Sequence, residues 1–342
     1  MRDDMPALSW CGSALRVLDQ TRLPTERVFL EITTVDGLIG AIDRAVISGA
    51  PVLAIAGAYG VAVALLQAER EGWGGSGLDA AVDRIRSAGP VAVDLRWSVD
   101  RVRSLIPAGA DAVVRAADAI AAEQAAAEDA IGANGADHLS GHLLAGRSRL
   151  RVLTHGGVGP PATAGRGTAL GVIRELNDRG LLALVHVDET RPLLQGSRMT
   201  AWELARAGIA HAVQPDGAAA SVIATGLVDA AVVGADRIAA NGDVAAGAGT
   251  LAIALACADA GAPFVVAAPA GAVDAGTPNG AAIALDLRPE EEVLSGGGHR
   301  ITPRASRAYN PAFEVVPARL VSALVTEYGA YEVARGHVPA AR

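Results

Sequence analysis

The sequence predicts an α/β protein built round a parallel sheet, and three observations predict it. From about Arg151 onward, short β-rich runs alternate with helical segments: "RVLT" (151–154), "LALVHV" (182–187), "AAVVG" (230–234) and "FVVAA" (264–268) are separated by segments such as "GTALGVIRELNDRG" (167–180) and "TAWELARAG" (200–208). Such alternation marks βαβ units, whose crossover helices cover both faces of the sheet. The length, 342 residues, exceeds what one compact core usually holds, so two domains are expected. A composition that is 51% hydrophobic and 19% charged describes a well-buried globular chain and argues against disorder.

Before Arg151 the reading is mainly helical, after strand-rich patches at 15–18 and 28–32. Nothing is charged between Ala45 and Ala68, "AVISGAPVLAIAGAYGVAVALLQA". Gly49, Pro51, Gly57 and Gly60 interrupt that run and Ala dominates it, so a turn followed by a buried helix is expected rather than a membrane span. The Ala-rich segment 116–130, with Glu and Asp interspersed, predicts a regular helix joining two domains. The expected division is 1–145, a small helical domain with a few strands, and 146–342, the sheet domain.

The formal net charge of −8 and a pI near 5.4 make nucleic acid and anionic membrane poor partners. Two cysteines, Cys11 and Cys257, supply neither a disulfide framework nor a zinc spacing. The start, "MRDDMPALSW", lacks the apolar stretch of a signal peptide, and a cytoplasmic location is expected.

In open α/β sheets, ligands bind beyond the carboxyl ends of the strands. Those ends carry His155 and Gly156, then Asp188, Glu189 and Arg191, then Asp236 and Arg237. Helix capping and interdomain ion pairing are the alternative uses of such residues. "GRGTALG" from Gly165 does not match the dinucleotide fingerprint, since its glycine spacing is wrong and a long loop parts it from the strand. The remaining histidines, including His138 and His142 four residues apart, form no metal spacing.

Longer strings are more particular. "VDETRPLLQGSRMTAWELARAGI" (187–209), "VVGADRIAANGDVA" (232–245) and "AYNPAFEVVPARLVSALVTEYG" (308–329) resemble the methylthioribose-1-phosphate isomerases, relatives of the regulatory subunits of eukaryotic initiation factor 2B. "LDQTRLP" (18–24) and "GAPVLAIAGAYGVAVAL" (49–65) are similar to the same family, and the resemblance runs the length of the chain. It implies a Rossmann-like C-terminal domain, a homodimer and a small-molecule ligand, with no metal or organic cofactor. It also implies the opening of an aldose 1-phosphate and its isomerisation to the ketose.

The resemblance assigns roles position by position. It makes Asp236 the catalytic acid and Gln195 a substrate contact, and places Gly49 and Ala50 in the binding turn. At other positions this chain departs from the pattern. Ser48 stands for the arginine of "RGAP", Gly89 for the arginine of "RPTAVNL", Ala246 and Gly247 for the Asn–Lys pair of "DVANKIGT", and Gly156 for the cysteine of "THC". Charge-assisted hydrogen bonds contribute roughly 1.5–3 kcal/mol each, so losing three cations weakens phosphate recognition by several kcal/mol. Arg166 and Arg191 are candidate replacement anion partners, Glu189 a further polar candidate, and His155 a candidate replacement acid–base group. Three functions fit: an acid–base enzyme turned to a non-phosphorylated or bulkier substrate, a non-catalytic partner-binding relative, or the parent isomerisation. The first is the main expectation, with Asp236 as acid or base.

Overall fold

The chain starts with a three-stranded antiparallel sheet, β1 (Leu8–Cys11), β2 (Ala14–Leu18) and β3 (Phe29–Ile32). Five helices follow: α1 (Val35–Asp43), α2 (Ala50–Glu71), α3 (Gly75–Ser87), α4 (Val93–Arg103) and α5 (Ala110–Leu143). The structure is a computed structural model that describes residues 6–89, 91, 93–143, 147–285 and 287–340, without the side chains of residues 142, 143 and 334. The expected boundary at 145/146 and the His142 side chain therefore lie outside the described residues.

Helix α2 is apolar on every side, as a helix surrounded by protein must be. It is long and apolar enough to cross a membrane, yet 94% of its apolar window is buried among the other helices. It packs on α4 and α5. Its first turn carries Pro51, whose missing N–H costs nothing there, and it ends on Gly72 in the left-handed conformation. The regular helix expected over 116–130 is α5, which is far longer than the sequence suggested. Its 34 residues span about 51 Å at 1.5 Å per residue. One part packs on α2, another on helix α6 (Ala169–Asp178).

The remaining strands are β4 (Leu150–Thr154), β5 (Leu182–Asp188), β6 (His211–Gln214), β7 (Ala230–Val233), β8 (Arg237–Ala239), β9 (Val244–Gly247) and β10 (Phe264–Ala267). After them come β11 (Val273–Asp274), β12 (Ser295–Gly296), β13 (His299–Arg300), β14 (Phe313–Val316), β15 (Ala323–Thr326) and β16 (Gly329–Tyr331). The helices among them are α7 (Ala201–Arg206), α8 (Ala219–Ala224), α9 (Thr250–Ala260) and α10 (Glu291–Leu294).

Seven strands form the main sheet in the order β16-β15-β10-β7-β4-β5-β6, parallel throughout except for the antiparallel edge strand β16. Alternate side chains serve opposite faces. Val152 and Val232 join Leu170 of α6 and Ile131 of α5 in one core, whereas Leu153 and Val233 join Ile253 of α9 and Ile223 of α8 in another. The four runs read as strands are β4, β5, β7 and β10. A separate four-stranded sheet, β11-β8-β9-β14, extends the loop that follows β7.

Candidate active site

The carboxyl ends of β4, β5 and β7 meet the start of α2 around a cavity of about 400 Å³. Ser48, Gly49, Ala50, Gly89, His155, Gly156, Gln195, Asp236, Ala246 and Gly247 all line it, so residues some two hundred positions apart converge as the resemblance implied. Gly49 sits at φ +110, and a Cβ there would collide with the Ala162 carbonyl, which explains glycine at this turn. At Gly247 a Cβ would meet nothing within 4 Å, and at Gly156 only Val158 Cγ1 at 3.9 Å. Two positions where the family carries Lys and Cys are therefore open space.

Asp236 follows β7, its backbone N–H donating to the Ala245 carbonyl. Its carboxyl is deep among protein atoms, and the exposure it retains is on the cavity side. Desolvation pushes its pKa up from 3.8 to about 7, and no hydrogen bond or opposite charge from the described residues offsets it. A carboxyl with that value can both give and take a proton near neutral pH.

His155 is braced on both sides. Nδ1 lies 3.1 Å from Asp188 Oδ2 and Nε2 lies 2.9 Å from the Ala248 carbonyl. Both neighbours accept, an arrangement that favours the doubly protonated ring. Burial opposes that charge, but the Asp188 hydrogen bond and charge, the Asp216 charge and the Ala248 carbonyl outweigh it and raise the pKa. With both nitrogens committed, His155 ties β4 to the loop after β9, and the expectation that it replaces the missing acid–base group is corrected. His155, Asp188 and Asp216 form the one group among the described residues spaced to hold a metal. Their donor atoms are spent, however: Gln214 Nε2 donates to Asp188 Oδ1, and the Thr190 and Arg191 N–H groups donate to the Asp216 carboxylate.

The three outlying candidates do not reach the cavity wall. Arg166 pairs with Glu175 and Asp178. Arg191 donates to the carbonyls of Pro192, Glu292 and Val293, which ties it to α10. The N–H of Glu189 donates to the Gln214 carbonyl, and its side chain is absent from the wall. Neither arginine thus replaces the lost cations. The one guanidinium on the wall, among its described residues, belongs to Arg288 and is bound to Glu292 at 2.6 Å. The amides that open α9 are occupied as well, since Glu314 Oε1 accepts from Gly249 N and Leu251 N at 2.7 Å each.

Two structural residues went unseen in the sequence. Gln20 is buried beneath the turn at Ser48. Glu128 of α5 is buried and accepts from Thr163 Oγ1 and the N–H groups of Ala164, Gly165 and Gly167, which shapes the loop after Gly159. Burial raises the Glu128 pKa, and those hydrogen bonds oppose the rise. The signal was present: Gln124 and Glu128 stand four apart in an Ala-rich helix, so two polar side chains share one apolar face.

A doubly covered parallel sheet with a cavity at its carboxyl edge, and a carboxyl on the wall of that cavity, defines a Rossmann-like α/β protein. The model of the initiation factor 2 subunit family matches residues 46–333. Over 340 residues the chain is 45% identical to a probable bifunctional methylthioribose-1-phosphate isomerase/methylthioribulose-1-phosphate dehydratase of Nocardia farcinica, covering 99% of this chain and 61% of that protein. It is 46% identical over 315 residues to a methylthioribose-1-phosphate isomerase of Anaeromyxobacter dehalogenans, covering 92% and 90% of the two chains. The crystal structure of 5-methylthioribose 1-phosphate isomerase from Pyrococcus horikoshii superposes with a TM-score of 0.82 at 32% identity, covering 96% and 93%. The chain belongs to the methylthioribose-1-phosphate isomerase family within the initiation factor 2 subunit family.

Proposed function

We propose that this chain is an aldose–ketose isomerase with Asp236 as its acid–base group. The observation that carries the reading is the Asp236 carboxyl, half-buried on the cavity wall, where desolvation raises its pKa to about 7. Isomerisation of an opened aldose moves one proton from C2 to C1 and a second from the C2 hydroxyl to the C1 oxygen. One carboxyl poised near neutrality can carry the carbon proton, while the second passes between the adjacent oxygens. Gln195 and the hydroxyl-bearing wall hold the sugar. With Gly156 in the cysteine's place, no thiol stands among the described residues of the wall, so Asp236 carries the proton between the two carbons.

The comparisons support methylthioribose 1-phosphate as the substrate, because the matching curated relatives are named for that reaction at 45–46% identity. They favour the parent reaction over a changed substrate. A second reading, a non-phosphorylated or bulkier sugar, is favoured by one observation: Ser48, Gly89 and Gly247 leave the wall without the family's cations, and Arg288 is already paired.

The test is turnover of methylthioribose 1-phosphate and of methylthioribose by the purified protein, followed by NMR, beside Asp236→Asn. Ketose from the phosphate, abolished in the variant, supports the parent reaction. Ketose from the neutral sugar alone supports the second reading. No ketose from either refutes the enzyme reading and leaves a non-catalytic family member.

A further inference from the structure

The wall formed by Ser48 and Gln195 belongs to a hydrogen-bond chain whose direction is set at its buried end. Gln20 holds Nε2 against two backbone carbonyls, Pro161 O at 2.6 Å and Ser48 O at 3.2 Å. Only an amide NH₂ can face two carbonyls, so the Gln20 side chain has one permitted orientation. Its Oε1 therefore faces Ser48, whose hydroxyl donates to it at 2.8 Å. A hydroxyl has one proton. With that proton committed, Ser48 Oγ can only accept from Gln195, and Gln195 Nε2 lies 3.1 Å away.

Gln195 is thereby held with its NH₂ on Ser48. Its Oε1 is left without a hydrogen-bond donor among the described residues, on a side chain that lines the cavity. A guanidinium at position 48 would do the reverse, because it donates only and would draw Oε1 toward itself.

We propose that Gln20 and Ser48 are positioning residues that lock Gln195 with its carbonyl open to the ligand, so that this wall reads a sugar hydroxyl rather than a phosphate oxygen. A hydroxyl donates to a carbonyl, whereas two acceptor oxygens repel. The nature of the ligand rests on the isomerase reading; the lock is a property of the fold.

The chain has five glutamines, so selective ¹⁵N-glutamine labelling gives a readable set of side-chain amides, and Gln195→Met identifies the Gln195 pair. Ser48→Ala is expected to shift that pair and speed its C–N rotation, and Ser48→Thr to restore the original signals. Methylthioribose is expected to shift the pair at concentrations where inorganic phosphate does not. In turnover, Ser48→Ala should raise KM roughly tenfold with a smaller effect on kcat, the size of one lost hydrogen bond. A Gln195 pair indifferent to Ser48→Ala overturns the lock, and one shifted by phosphate but not by the neutral sugar overturns the hydroxyl assignment. A Ser48 effect in a protein that neither turns over nor binds either sugar refutes the isomerase reading and leaves the lock standing.

Discussion

Replacing Asp236 by Asn keeps the shape of the cavity wall and removes one titrating proton. Burial holds this carboxyl at about 7 in the folded chain, against 3.8 for an exposed aspartate. Between about pH 4 and pH 7 the unfolded chain therefore ionises Asp236 while the folded chain keeps the proton. Stability falls across that window as pH rises, and the loss is complete once pH passes the folded value. Three pH units at about 1.36 kcal/mol each give about 4 kcal/mol, and water in the cavity makes that an upper bound. Asparagine has no charged form to penalise. Asp236→Asn should therefore match the parent near pH 4 and exceed its stability by up to about 4 kcal/mol at pH 8. With an unfolding entropy near 2.1 cal/mol/K per residue, that is about 5–6 °C in Tm. Thermal melts of both proteins from pH 4 to pH 8 give the difference curve, which should rise between about 4 and 7 and then level off. A difference that does not vary with pH would refute the buried, unpartnered carboxyl. The same substitution should abolish turnover, the expected opposition between stability and catalysis at an acid–base group.

The His155 imidazolium should titrate by NMR above the ordinary value of 6.5, because Asp188 and the Ala248 carbonyl outweigh burial. Its stabilisation should be complete below about pH 6.5 and lost as pH rises through that raised value, so His155→Asn should cost about 3 kcal/mol at pH 6 and less at pH 9. Glu128→Gln should destabilise by about 2–3 kcal/mol and speed hydrogen exchange at Ala164, Gly165 and Gly167, whose N–H groups it anchors; unchanged exchange would count against that anchoring. Gly247→Lys places a cation in open space and should tighten inorganic phosphate binding about tenfold by calorimetry. Gly156→Cys also has room, but at φ +90 the side chain is strained by about 1–2 kcal/mol, so Tm should fall by about 2 °C.

Much of the fold was legible because its signals are local. The runs at 151–154, 182–187, 230–234 and 264–268 are apolar over consecutive positions, and each became a strand of the main sheet. The uncharged run after Gly49 became a buried helix for the same reason. Less legible were the four-stranded sheet β11-β8-β9-β14 and the reach of α5. The first pairs strands as short as two residues, with no periodicity to read, and the second depends on which partners lie along the helix.

At the cavity the division is sharper. The sequence by itself determined the inventory: a carboxyl at 236, an amide at 195, and glycine or serine where the family carries cysteine and cations. Those are matters of residue identity, and homologous strings place them at the strand ends. Only the tertiary structure decided what each one touches. Arg166 and Arg191, equally plausible in the sequence, are tied elsewhere; His155 is held between two acceptors; and the Gln195 amide meets a hydrogen-bond chain that starts at Gln20, 175 positions earlier. A side chain's chemistry depends on the atoms that reach it, and in this fold most of those atoms come from far away in the chain.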